Sequence, residues 1–328
     1  MDAIADRAFQ EKQHNVSQDE TPSLLAVVID TNPLEWTKLK GVICLKELCK
    51  SVLVLLNAHL SLNSGNRVAV LTSSSLNSGP KFLYPDPNDK TYEKRESLLS
   101  SDIHRQFKFV DQKIIQELQI LLDNEPLNPE NQELKGSIAG AMSMALSYIN
   151  RLTNIEPEST GNTLRAKMLV ISISDDSTQQ YVPFMNCIFS AQKMKVSIDV
   201  CKMGPDSSFL QQASDVTNGV YMLIKNVHGL IQYLTTALFI DPSLRPIMVL
   251  PTNSDLDFRA SCFVTNKVID IGYVCSVCLC IFSIIPRNNV CPTCQSKFDD
   301  AVVKKLRQKP IVIPLQKKKK LEDGVQRT

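Results

Sequence analysis

Leu24-Leu25-Ala26-Val27-Val28-Ile29-Asp30-Thr31-Asn32-Pro33-Leu34 contains the first long apolar run of the sequence. Six apolar residues in a row, closed by a carboxylate, have no polar face to offer water. That is the signature of a central strand in a parallel sheet covered on both sides. Working outward, Arg67-Val68-Ala69-Val70-Leu71-Thr72, Lys167-Met168-Leu169-Val170-Ile171-Ser172-Ile173, Val196-Ser197-Ile198-Asp199-Val200 and Gly219-Val220-Tyr221-Met222 read as further strands. Between them, helical spacing occupies 39–60, 103–122, 138–152, 182–194, 209–213 and 227–239. The helix over 39–60 is apolar nearly all round, so it is expected to be sandwiched rather than solvent-facing. Residues 73–101 are rich in Ser, Asn, Asp and Pro, and only Lys81-Phe82-Leu83-Tyr84 can make a short strand there, as a hairpin-like excursion. Strands alternating with helices predict an α/β fold: a doubly wound, mostly parallel sheet with helices on both faces.

The 328 residues suffice for one sizeable α/β unit and a smaller appendage. A net charge of +2 excludes a molecule that is basic as a whole, as a general nucleic-acid binder would be. The basic residues gather instead at the end, in Lys304, Lys305, Arg307, Lys309 and Lys317 to Lys320. The first twenty residues are polar and acidic, without the apolar stretch of a signal peptide. Apolar runs such as Val52 to Leu56 are far too short to span a bilayer, so no membrane partner is expected. The expected organisation is a flexible arm over 1–21, the α/β domain over 22–240, a proline-marked linker over 241–256, a zinc module over 257–300 and a basic tail over 301–328. No internal repeat is evident.

Six of the ten cysteines (Cys262, Cys275, Cys278, Cys280, Cys291, Cys294) fall within 33 residues. Two Cys-x-x-Cys pairs twelve residues apart, Cys275/Cys278 and Cys291/Cys294, each form a tight turn that aims two thiolates at one ion. Together they close a tetrahedron with no open position, which makes one structural Zn²⁺ the expected cofactor. Such a metal holds together a segment with few core residues of its own. Two cross-braced zincs would need eight ligands; no His follows His228, and Cys262 and Cys280 cannot complete a second site. Cys280 reads as a buried thiol able to substitute for a neighbouring ligand.

Asp30 ends the first strand where von Willebrand A domains carry Asp-x-Ser-x-Ser, a motif that binds Mg²⁺ above the sheet. Here Asn32 and Leu34 stand at the two Ser positions, and Leu34 cannot ligate. Ser137 and Asp175 fall where the remaining Thr and Asp belong. Asp30, Asn32, Ser137 and Asp175 are therefore read as a degenerate remnant, with no divalent cation expected and Asp30 ordering its loop.

The element order, Asp30-x-Asn32 and Ser174-Asp175-Asp176 resemble a von Willebrand A domain over 22–240. Asp257-Phe258-Arg259-Ala260-Ser261-Cys262-Phe263, followed by Ile271-Gly272-Tyr273-Val274-Cys275-Ser276-Val277-Cys278-Leu279, is similar to the family of small A-domain subunits of the transcription and DNA repair factor TFIIH, called Tfb-four in yeast. The resemblance covers nearly the whole chain. It departs at Val264, where family members often carry a Cys, which weakens a ligand role for Cys262. The resemblance implies a nuclear, non-catalytic core subunit. Its partners would be the larger A-domain subunit, whose RING-like zinc domain holds this A domain, and the other core subunits.

Two rival functions stand beside assembly. A nucleic-acid binder would use the zinc segment and the basic tail, yet the segment is poor in basic residues, with Arg287 and Lys297 within or beside the cysteines and no aromatic–basic interleaving. Four lysines in a row equally serve as a solvated or nuclear-import stretch, and direct DNA contact stays open. An enzyme would need a nucleophile–base pair or a phosphate-binding glycine loop, and neither is visible.

Overall fold

A computed structural model describes residues 21–307 apart from 40, 42, 75–78, 87–102, 125–136, 156–163, 177–178, 243, 246, 249–256, 266 and 287. The expected N-terminal arm, most of the linker and the tail beyond Arg307 lie outside the described residues. The chain divides into two compact units, Met1–Asp270 and Ile271–Thr328.

The first unit is built on a six-stranded sheet: β1 (Ser23–Asp30), β2 (Arg67–Ser73), β3 (Pro80–Tyr84), β4 (Arg165–Ser172), β5 (Ser197–Met203) and β6 (Tyr221–Ile224), in the order β3-β2-β1-β4-β5-β6. All pairings are parallel except β2 with the edge strand β3. The order reverses between β1 and β4, the switch point at which such sheets open a crevice beyond their strand ends. This is the doubly wound, von Willebrand A-like arrangement expected from the sequence.

Side-chain alternation splits β1 between two cores. Leu25, Val27 and Ile29 face one, with Val68, Val70, Leu169, Ile171, Cys201 and Met203 from the neighbouring strands. Leu24, Ala26 and Val28 face the other, with Ala69, Leu71, Met168, Val170, Ile198 and Val200. The first core is covered by α2 (Leu45–Leu62), α3 (Ile103–Asn124) and a helical stretch over 227–238 that contains α7 (Leu230–Tyr233). The second is covered by α4 (Ile138–Asn150), α5 (Tyr181–Lys193) and α6 (Ser208–Val216).

Two local readings change. Pro33 at the first helical position and Asn32, whose Oδ1 accepts from Leu34 N at 3.2 Å, start a separate short helix, α1 (Pro33–Lys38), before α2. Nor is α2 sandwiched: it buries Leu48, Val52, Leu55, Leu56 and Leu60 on one face while Val54 and Leu62 stand exposed on the other. Gly219, entering β6, has a steric reason to be glycine. A Cβ there would lie 1.8 Å from the carbonyl oxygen of Ile198, inside any permissible contact.

Residues 257–270, expected with the zinc module, fall within the first compact unit, which runs to Asp270. The physical reason is a set of contacts with α5 and α6. Gln212 Nε2 donates to the carbonyls of Asp257 at 2.8 Å and Arg259 at 3.3 Å, Asp257 N donates to Gln211 Oε1 at 3.3 Å, and Phe263 tilts against Tyr181. A small antiparallel bridge, Ser261 with Val268, buries Cys262 here.

The second unit carries β7 (Tyr273–Val274), antiparallel to β8 (Ile281–Phe282), and α8 (Asp300–Arg307). It contains a repeat that sequence reading did not recover. Val274 pairs with Ile281 and Val290 with Lys297. Cys275 N donates to Cys280 O at 3.0 Å, and Cys291 N to Ser296 O at 2.9 Å. Leu279 N reaches Cys275 O at 3.0 Å, and Gln295 N reaches Cys291 O at 2.9 Å. Leu279 and Gln295 share a left-handed backbone, φ 60° and 59°. Every member of the second turn follows its counterpart by sixteen residues.

Candidate functional site

The two turns bring Cys275, Cys278, Cys291 and Cys294 together, with all four Sγ atoms within 4.8 Å of one another. Around a zinc with Zn–S of about 2.3 Å, the edge of a thiolate tetrahedron is about 3.8 Å. The separations Cys275–Cys294, 3.8 Å, and Cys278–Cys291, 3.6 Å, match that edge. Each turn also aims backbone N–H groups at its first sulfur. Those of Cys278 and Val277 hold the Cys275 thiol down to about 6. At Cys291 burial acts in the opposite direction, but the N–H of Cys294, the Cys280 thiol and the N–H of Thr293 together prevail and the thiol is again lowered. Cys278 goes the other way, its thiol raised by the hydrogen bond with Cys280. The tetrahedral spacing, with the lowered thiols of Cys275 and Cys291, makes a donor set fit for a thiophilic ion. Among the described residues, this is the one cluster of three or more His, Cys, Asp or Glu side chains able to hold a metal. Cys262 lies outside it.

At the strand tops Asp30 is buried and its oxygens are engaged. Oδ1 accepts from Asn32 N at 3.2 Å; Oδ2 accepts from Ile173 N at 3.1 Å and Ser174 N at 2.9 Å. Asn32 Nδ2 donates to Ser174 Oγ at 3.3 Å. Ser137 precedes α4 and donates its hydroxyl to Ser74 O, joining the loop after β2. Asp175 is exposed, and its Oδ1 accepts from Asp176 N at 2.7 Å. Asp30 and Asn32 are thus bonded to each other and to Ser174, while Ser137 and Asp175 make separate local bonds.

The sequence reading missed the cation that stands among these groups. Lys202 is fully buried; its Nζ donates to Ser174 O at 2.6 Å and Ser172 Oγ at 3.3 Å. Burial lowers its pKa, opposed by the carboxylates of Asp30, Asp176, Asp175 and Glu35. Burial likewise raises the carboxyl of Asp176, against bonds from Ser207, Phe209 N and Ser208 and the charge of Lys202. The signal lay in β5, a charged residue inside an apolar strand, but the sequence reading ended that strand at Val200 and left Lys202 outside it.

The opposite end of the sheet has its own charge set. Arg245 Nη2 contacts both oxygens of Asp199, at 2.7 and 2.6 Å, and Nη1 donates to Asn218 O at 2.7 Å. Lys167 Nζ donates to the carbonyls of Leu238, 3.2 Å, and Phe239, 2.9 Å, at the end of the last helical stretch. Burial raises the pKa of Asp199 and lowers that of Lys167. These bonds fix the chain after the last helix to β4 and β5.

The family described as Transcription factor Tfb4 matches residues 22–295, which spans both the sheet and the four cysteines. The chain belongs to the Tfb4 family. Among its relatives, the General transcription and DNA repair factor IIH subunit TFB4 of Eremothecium gossypii is 47% identical, over 98% of this chain and 98% of that one. The protein of the same name in Saccharomyces cerevisiae is 43% identical, over 98% and 99%. The crystal structure of the TFIIH p34 N-terminal domain is similar at a TM-score of 0.56 and 31% identity, over 66% of this chain and 98% of that one. Tfb4 proteins of known name thus match from end to end, with the strand-top groups and the cysteine turns inside the matched region. No helix among the described residues is long and apolar enough to cross a membrane.

Proposed function

We propose that this chain is a non-catalytic structural subunit of the general transcription and DNA repair factor IIH, acting in the nucleus in transcription initiation and nucleotide excision repair. The observation that carries the proposal is the end-to-end match to relatives bearing that name, at 43% and 47% identity. The strand tops support it. Asp30 is occupied by three backbone N–H groups, and Lys202 supplies the charge that a divalent cation would otherwise bring. That leaves the A domain as a binding surface and not a metal-dependent site.

Cys275, Cys278, Cys291 and Cys294 would hold one structural Zn²⁺, whose contribution is to fold the second unit. The partners are the larger A-domain subunit with its RING-like domain and the other core subunits, with the zinc unit adding a second contact that raises avidity. The test is co-purification with the other core subunits from cells. The parent should co-purify, and Cys275→Ser with Cys278→Ser should fold in its first unit but assemble less well at limiting concentration. A parent chain that never co-purifies with such subunits overturns the assembly reading. A double variant that assembles as well as the parent removes the zinc unit from the interface.

A further inference from the structure

The two cysteine turns are related by a local pseudo-twofold that pairs Cys275 with Cys291, Cys278 with Cys294 and Cys280 with Ser296. The last pair caps opposite edges of the tetrahedron. Ser296 Oγ lies 3.0 Å from Cys294 Sγ and 3.6 Å from Cys275 Sγ. Cys280 Sγ lies 2.9 Å from Cys278 Sγ and 3.3 Å from Cys291 Sγ. The architecture is shared but the chemistry is not. A serine hydroxyl can only donate to a coordinated sulfur, whereas a cysteine can donate or coordinate. Cys280 is also buried, so its sulfur is held in place at the edge.

We propose that Cys280 is a reserve zinc ligand that exchanges with Cys278, giving the centre two alternative four-thiolate sets. This rests on the zinc reading above. Both sulfurs project from one turn, two residues apart, so a small rotation brings either to the vertex. Cys280 and Cys278 are too close to occupy two vertices at once, since their separation is well under the tetrahedral edge of about 3.8 Å. In the exchange the metal–sulfur bond to Cys278 breaks and that sulfur takes a proton from solvent. The Cys280 thiol releases its proton to solvent as its own metal–sulfur bond forms, so neither charge nor oxidation state changes. The opposite edge has no such reserve, because Ser296 stands there.

The pseudo-twofold supplies the control. In the purified full chain, zinc content is measured after dialysis against a weak chelator, and Co²⁺ spectra report the number of thiolates. The parent and Cys280→Ser should each hold one zinc. Cys278→Ser should retain the ion with a four-thiolate Co²⁺ spectrum. Its symmetry mate Cys294→Ser, and Cys278→Ser with Cys280→Ser, should bind at least about tenfold more weakly, since even changes outside the ligand set register on that scale. Loss of zinc from Cys278→Ser to the same degree as from Cys294→Ser overturns the proposal. A parent that binds no zinc overturns instead the reading on which the proposal rests. A second measurement needs no ligand variant: alkylation of the zinc-loaded protein should modify Cys278 faster in the parent than in Cys280→Ser, with Cys294 protected in both. Equal protection of Cys278 in the two proteins overturns the exchange.

Discussion

Replacing Lys202 with methionine keeps an unbranched side chain one atom shorter and removes its charge, so packing changes little. Three effects then compete. The Ser174 carbonyl loses its 2.6 Å partner, worth about 1–3 kcal/mol for a buried acceptor left unsatisfied. Asp30 and Asp176 lose the through-space attraction of the Lys202 charge, which acts on them without a direct ion-pair contact. Against both stands the desolvation of the ammonium, the largest influence on Lys202, which the substitution abolishes. Asp30 retains three backbone N–H donors, so its loss is softened. The net expectation is destabilisation of about 2 kcal/mol, the middle of the range for a buried acceptor left without its partner. For a unit of this size that is a fall in melting temperature of about 4–8 °C. Calorimetry of the purified chain measures it, and Mg²⁺ should not restore the loss. A double-mutant cycle with Asp176→Asn isolates the electrostatic part and should show coupling of about 1 kcal/mol or more. A Lys202→Met chain that melts with the parent, or a strictly additive cycle, refutes the reasoning.

Three further outcomes follow from the same geometry. Burial and the charge of Lys167 lower the pKa of His59 to about 4, against 6.5 when unfolded. The native state therefore keeps it neutral while the unfolded chain takes up a proton, so its contribution is intact above pH 6.5 and is lost between 6.5 and 4. The total is about 3 kcal/mol, read as a fall in the urea midpoint on acidification that His59→Leu flattens. Arg245→Ala leaves the buried carboxylate of Asp199 without its ion-pair partner, with only Val220 N and the charge of Lys167 to offset it, and should cost about 3 kcal/mol by urea titration, whereas Arg259→Ala, whose pair is exposed, should cost under about 1 kcal/mol. A strong chelator should unfold the second unit and leave the first intact, seen by NMR as collapse of the signals from 273–298 alone.

The strands were legible because a two-sided sheet needs uninterrupted apolar runs, and Leu24–Ile29 and Met168–Ile171 provide them. The cysteine spacing was legible because turn geometry dictates it. What escaped had no periodic signature. Lys202 sits in a strand whose pattern it interrupts, and only the three-dimensional crowd of carboxylates accounts for it. Residues 257–270 look like the prelude to the cysteine turns, and the glutamines that bind them, Gln211 and Gln212, lie 45 residues earlier on a helix that reads as ordinary. The sixteen-residue repeat shares its cysteines and little else, because backbone hydrogen bonds and a left-handed residue carry the symmetry, and those accept Leu279 and Gln295 alike.

The return of 257–270 to the first unit changes what the proline-marked stretch before it is. Arg245 is anchored on β5 and Asp257 on α6, so the stretch between them begins and ends on the same body. Neither flank is therefore a point at which the two units part. A protease nick within it would leave both ends held, and the cysteine unit would stay attached to a chain already cut in two. Severing the two units takes a cut after Asp270.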